Sequence, residues 1–181
     1  MDKKELRKIY KQKRKELTES EIEQLQNKIY NQVSDLDFTG VSNAHIFLPI
    51  EKQKEINTYP IIEFLRKRQI SIIISKSNFK DNSLKHYIFA PSTTLEINEY
   101  GIPEPVGAED FDVTKIDLVF VPLLISDKKN YRVGYGKGFY DRFLSNCKAD
   151  VITVGLNFFS PVDTIEGLDK YDIPLQKVIY P

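Results

Sequence analysis

Three short stretches constrain the fold most: ISIIIS (Ile70–Ser75), IDLVFVPLL (Ile116–Leu124) and VITVGL (Val151–Leu156). Each is apolar at nearly every position, without the alternation of a half-solvated strand. A strand of this kind must be covered on both faces. AHIFLPI (Ala44–Ile50) and LKHYIFA (Leu84–Ala90) read as further strands, and KVIYP supplies a short last one. Between them lie stretches with helical spacing. KKELRKIYKQKRKEL carries Leu6, Ile9, Tyr10 and Leu17 near one face. TESE (Thr18–Glu21) reads as a capping box that opens a helix over about Glu19 to Val33. A third helix tolerates Pro60 in its first turn and turns Ile61, Ile62 and Leu65 inward, and FYDRFLSN (Phe139–Asn146) reads as a fourth. Helices alternating with buried strands predict an α/β protein, a three-layer α/β/α sandwich with a mostly parallel, Rossmann-like sheet. The 181 residues fit one domain, 1–181. In such sheets ligands gather beyond the C-terminal strand ends. PIEKQKEINT, NYRVGYGKGFYD and NFFSPVDT all follow strands.

Charge narrows the partners. Lys and Arg number 26, as do Asp and Glu, so the whole-chain charge steers nothing toward nucleic acid or an anionic membrane. A cationic site must be local. Residues 1–15 hold eight basic and two acidic side chains, which makes the first helix such a place. Its basic face lacks the interleaved aromatics of an RNA-binding or membrane-surface element. The one cysteine, Cys147, has no intramolecular disulfide partner and reads as a small buried hydrophobe. The charged N-terminus lacks a signal-peptide core, and no apolar run approaches a membrane span. The expectation is a soluble, cytoplasmic monomer that acts on small molecules. His45 and His86 fall inside strand patterns and read as ordinary strand residues.

RVGYGKGFYDR (Arg132–Arg142) fits neither a helix nor a strand, because Gly134, Gly136 and Gly138 alternate. It is not a Walker A loop, since Phe139 follows Gly138, and its glycine spacing is not that of a dinucleotide fingerprint. The ingredients of an anion site are present nevertheless. Glycines let backbone N–H groups face phosphate oxygens, a helix opens near Gly138, and Arg132 and Lys137 add positive charge. Among these cations Asp141 makes best sense as a magnesium ligand. The same residues also fit a glycine-rich turn whose aspartate caps a helix.

VPLLISDKKNYRVGYGKGFYDRFL resembles the signature of the 5-formyltetrahydrofolate cyclo-ligases, or methenyltetrahydrofolate synthetases, V-P-G-L-A-F-D followed by R-L-G-x-G-x-G-Y-Y-D-R-x-L. KKELRK, FLPIEKQKEINT, YGIPEP and YDIPLQKVI resemble four more of the family's elements, in family order. This resemblance implies one cyclo-ligase domain. It implies an enzyme that uses ATP and Mg2+ to convert 5-formyltetrahydrofolate to 5,10-methenyltetrahydrofolate, releasing ADP and phosphate. Phosphorylation of the formyl oxygen would create a leaving group, and the second nitrogen would then close the ring. Such chemistry needs alignment and cations rather than a protein nucleophile.

By the same resemblance, Lys3, Lys4 and Arg7 hold ATP phosphates, and Arg14 sits at the junction of nucleotide and folate. The stretch Arg132, Gly134, Tyr135, Gly136, Lys137, Gly138, Phe139 and Tyr140 wraps the triphosphate, with Arg132 and Lys137 meeting the charge that develops on transfer. Asp141 and Asp172 hold magnesium. Glu55 accepts hydrogen bonds from the pterin, while Tyr100, Phe139, Tyr140 and Ile50 wall its ring. Four departures stand out. Leu123 and Ile125–Ser126 replace small residues before Asp127, Asn130–Tyr131 replace a glycine, Phe139 lacks a hydroxyl, and the turn before Glu55 is about two residues longer. A non-catalytic folate- or nucleotide-binding protein on this scaffold, and an unrelated ATP-dependent transferase, are the alternative readings.

Overall fold

The computed structural model describes residues 1–181. In chain order its elements are α1 (Lys3–Glu16), α2 (Glu19–Ser34), β1 (Asn43–His45), α3 (Tyr59–Lys67), β2 (Ser71–Asn78), β3 (Ser83–Ile88), β4 (Thr94–Ile97), β5 (Pro103–Val106), β6 (Leu118–Pro122), β7 (Ile125–Ser126), β8 (Arg132–Val133), α4 (Phe139–Asn146), β9 (Ile152–Leu156) and β10 (Lys177–Ile179). The expected α2 capping box is present. Thr18 accepts from the Glu21 N–H, and the Glu21 carboxylate reaches back to the Thr18 N–H at 2.8 Å. Asp2 and Glu5 cap α1 in the same way.

Six strands form the central sheet in the order β10-β9-β6-β1-β2-β3. All neighbours are parallel except β2 and β3, which pair antiparallel from Ile73↔Ile88 to Asn78↔Ser83. Successive residues alternate between faces. Ile72, Ile74, Leu118, Phe120, Val154 and Leu156 meet Ile29 and Val33 of α2 and Ile61, Ile62 and Leu65 of α3. Ile73, Val119 and Val121 meet Phe143 and Leu144 of α4 on the opposite side. This is the expected three-layer, mostly parallel α/β/α arrangement.

The structure refines several elements. β1 is shorter than its apolar run. Ile46 still bonds to the Ile73 carbonyl at 3.0 Å, but the Phe47 carbonyl turns to the Thr58 hydroxyl at 2.6 Å. Two hairpins, β4–β5 and β7–β8, add to the strands expected. The second hairpin turns on Asp127, which is only 1% exposed. Its carboxylate accepts from the Lys129, Tyr131 and Ile165 N–H groups. Asn130 has φ 64°, a left-handed conformation that Asn tolerates better than most residues. Helix α1 lies outside the layers. Its Leu6 and Tyr10 pack on Leu124, Ile125, Val133 and Ile165, beyond the C-terminal end of β6.

Candidate active site

A cavity of about 1270 Å3 opens beyond the C-terminal ends of the central strands, between α1, the glycine loop and the β2–β3 turn. One end is cationic. Lys3, Arg7 and Lys11 recur at one-turn intervals on α1 and line the same wall. Arg7 Nε donates to the Gly134 carbonyl at 2.9 Å. Gly136 has φ +92°, and a Cβ placed there would lie 3.0 Å from the Arg7 guanidinium. Glycine is required both by the left-handed backbone and by this close approach. Gly138, at φ 71°, then opens α4, and Phe139 is its first residue.

Arg132 and Lys3 knit this end together with the two expected acidic residues. The Arg132 side chain is 6% exposed. Its guanidinium donates to Asp141 Oδ1 at 2.8 Å and to the Ile173 carbonyl at 2.6 Å. Lys3 pairs with Asp172 Oδ2, which also accepts from the Asp169 N–H. Asp141 and Asp172 therefore share one wall, each with a second carboxylate oxygen outside these bonds. No cluster of three His, Cys, Asp or Glu side chains exists to hold a metal alone. Two carboxylates of this kind fit a hard cation such as Mg2+, which takes its remaining ligands from phosphate and water.

The other end is aromatic, with one buried acid. Tyr100 stacks on Phe79 with centroids 4.1 Å apart, and Phe139 meets Phe79 edge-on at 5.2 Å. Ile50 and Tyr140 complete this wall. Burial and the nearby Glu55 raise the pKa of the Tyr140 phenol, so it stays protonated at neutral pH. Glu55, 8% exposed, accepts from the Ile50 N–H at 2.8 Å through Oε2. The Tyr135 hydroxyl donates to its Oε1 at 2.7 Å, and Arg14 donates to that same hydroxyl. Burial raises the Glu55 pKa, opposed by these hydrogen bonds and the Arg14 charge. The turn before Glu55 also braces α1. Lys54, left-handed at φ 49°, donates from Nζ to the Lys15 and Leu17 carbonyls at 2.7 Å, closing the C-terminal end of α1.

Most of the residues singled out from sequence line this one cavity: Lys3, Arg7, Ile50, Glu55, Tyr100, Asp172 and the whole of Arg132–Asp141. Arg14 is 5% exposed and reaches the cavity only through the Tyr135 hydroxyl. Lys4 is exposed and absent from the wall, its N–H serving the Asp2 cap at 2.8 Å. Sequence reasoning missed Phe79, whose signal was a lone aromatic in a polar turn, and Lys11, whose signal was its spacing from Arg7. His45 and His86 do sit in strands, yet they flank a buried hydrogen-bond chain. His45 Nε2 lies 2.7 Å from Ser75 Oγ, which lies 2.8 Å from His86 Nδ1. Desolvation lowers both pKa values, that of His86 to about 4, so both rings are neutral at pH 7. Cys147 is half-buried, and burial lifts its thiol to about 11, which keeps it unreactive.

Comparison with known proteins matches this architecture along its whole length. The profile of the 5-formyltetrahydrofolate cyclo-ligase family covers residues 1–181. A 5-formyltetrahydrofolate cyclo-ligase of Haemophilus influenzae is 35% identical over 104 residues, 52% of this chain and 54% of that one. The Mycoplasma genitalium protein of the same name is 28% identical over 87% of this chain and 86% of its own. The NMR structure of Aquifex aeolicus 5,10-methenyltetrahydrofolate synthetase superposes with a TM-score of 0.81 at 30% identity, covering 98% of this chain and 89% of that one. The cationic loop and the buried acid thus lie within a fold and a sequence pattern shared from end to end, and the chain belongs to the 5-formyltetrahydrofolate cyclo-ligase family of enzymes.

Proposed function

We propose that the cyclo-ligase reaction of this chain uses ATP and magnesium and takes place in the cavity between α1 and the glycine loop. One observation carries the reading: a cationic end suited to a triphosphate and an aromatic, acid-bearing end suited to a pterin are continuous within a single cavity. Glu55 accepts N–H donors of the reduced pterin, and Phe79, Tyr100, Phe139 and Tyr140 wall its ring. Lys3, Arg7, Lys11 and Lys137 hold phosphate oxygens, together with N–H groups of the Gly134–Gly138 turn. Asp141 and Asp172 would hold magnesium, which neutralises phosphate charge when bound.

The chemistry then divides into two steps. The formyl oxygen attacks the terminal phosphorus of ATP, and ADP leaves. The second folate nitrogen attacks the activated formyl carbon and gives up its proton, the ring closes, and phosphate departs with that proton. Arg132 is fixed by Asp141 and Ile173 before substrate arrives, so it meets the developing charge without reorganising. Arg14 holds the Tyr135 hydroxyl at the seam between the two ends. The cavity that these residues line is of a size and chemistry for small molecules, a reduced folate beside a nucleotide. No helix is long and apolar enough to cross a membrane.

The test mixes protein, ATP, magnesium and 5-formyltetrahydrofolate and follows the methenyl absorbance and ADP together. Product formation should require both ATP and magnesium, with one ADP released per ring closed. Tight folate binding without ADP release would reject the ATP-dependent scheme.

A further inference from the structure

The glycine loop is fastened in a place that a purely phosphate-wrapping role does not explain. Tyr135 stands between Gly134 and Gly136, yet its hydroxyl reaches Glu55, 80 residues away. Arg14 donates to that phenolic oxygen, so the single phenol proton is directed at Glu55 Oε1. The ring is also held, with Lys11 Nζ 5.1 Å and the Arg14 guanidinium 5.6 Å from its centroid. Because the Ile50 N–H serves Oε2, both Glu55 oxygens already carry a donor.

We infer that Tyr135 is a latch that sets folate affinity: its hydroxyl occupies the pterin-reading oxygen of Glu55 in the ligand-free chain, and folate displaces it. This rests on the reading of Glu55 as the pterin acceptor. Each carboxylate oxygen has room for a second donor, and in this reading one of the ligand's two N–H groups takes the Oε1 position that the phenol holds. Once displaced, Tyr135 no longer ties the Gly134–Gly138 turn to the floor of the cavity, and the turn is free to close on a triphosphate. Folate and nucleotide binding are therefore coupled, each favouring the other, as reciprocity requires.

Isothermal titration of the whole chain with 5-formyltetrahydrofolate, and with a non-hydrolysable ATP analogue plus magnesium, tests this in the wild type, Tyr135→Phe and Glu55→Gln. Tyr135→Phe keeps the ring and removes the competing donor. It should bind folate about 3- to 10-fold more tightly, the range expected for losing one competing hydrogen bond. In the wild type, folate should tighten binding of the ATP analogue, and this dependence should vanish in Tyr135→Phe. Glu55→Gln should weaken folate more than about 10-fold. If Glu55→Gln does so while Tyr135→Phe binds folate no more tightly than wild type, the latch is overturned and the pterin assignment stands. Coupling that is absent in the wild type, or that persists in Tyr135→Phe, also overturns the latch. Unchanged folate affinity in Glu55→Gln removes the pterin assignment and the latch with it.

Discussion

Arg132 and Asp141 stand nine residues apart in sequence and 2.8 Å apart at Nη2 and Oδ1, closing the glycine loop at its base. The pair joins β8 to the first turn of α4. It gives the loop a rigid foot while the glycines between keep their conformational range. It also holds a guanidinium in place at the cationic end of the cavity.

Replacing Arg132 with alanine should therefore lower turnover about 100- to 1000-fold, the loss typical of one preorganised transition-state donor. Folate affinity, measured by titration, should change less than about 3-fold, because Glu55 and the aromatic wall are untouched. Arg132→Lys should recover little, since one ammonium does not reproduce the fork that spans Asp141 and Ile173. Unchanged turnover in Arg132→Ala would reject its assigned role.

Gly136→Ala should strain the loop at φ +92° and push the new methyl against Arg7. We expect a stability loss of about 1 kcal/mol, visible in the thermal midpoint, and a KM for ATP raised about 10-fold. Gly40→Ala shares the left-handed backbone but meets no atom within 4 Å, so it controls for the backbone strain alone. It should leave KM for ATP unchanged.

Two adjacent lysines should behave differently. Lys3 lines the cavity and pairs with Asp172, while Lys4 points elsewhere. Lys3→Ala should raise KM for ATP about 10-fold and alter the magnesium dependence of the reaction. Lys4→Ala should stay within about 2-fold of wild type in the same steady-state assay, as expected for a screened surface charge.

The two buried histidines make stability fall with acid. Both have pKa values depressed in the folded chain, His86 to about 4, whereas the unfolded rings titrate near 6.5. Above pH 6.5 both states are neutral and the histidines contribute no pH dependence. As pH falls from 6.5 toward 4, the unfolded chain takes up protons that the folded chain refuses. His86 alone should remove about 2 kcal/mol of stability between pH 7 and pH 5. The raised pKa of Glu55 acts in the opposite sense, since acid relieves its buried charge. Urea unfolding of the wild type and His86→Gln at several pH values separates the two. The difference in stability between the proteins should shift by about 2 kcal/mol in favour of His86→Gln on acidification to pH 5.

Features with a local physical cause were readable in the sequence. Strands with two apolar faces, the Thr18–Glu21 cap and the helix starting at Phe139 each follow from neighbouring residues. The glycine loop announced itself because its backbone needs conformations that side chains forbid. The β4–β5 hairpin did not, because Pro103 and Pro105 argue against a strand, and only a separate two-stranded sheet accommodates them. Tyr135 and Glu55 meet through tertiary placement alone. The histidine chain depends on strand register, since Ser75 lies opposite His86 across the antiparallel β2–β3 pair. That register becomes visible only when the pairing is known. Lys54 reads as one more charge in a polar loop until α1 is seen to end beside it.

The ion pair between Lys3 and Asp172 spans 169 residues. On a translating ribosome the opening helix would wait about 10 to 30 s for its acidic partner to be made. Throughout that interval its cluster of lysines and arginines has no finished pocket to face. A transcript broken shortly before the codon for Asp172 would yield a nascent chain with most of the sheet and none of that closure, a product open to quality-control proteolysis rather than a weak enzyme.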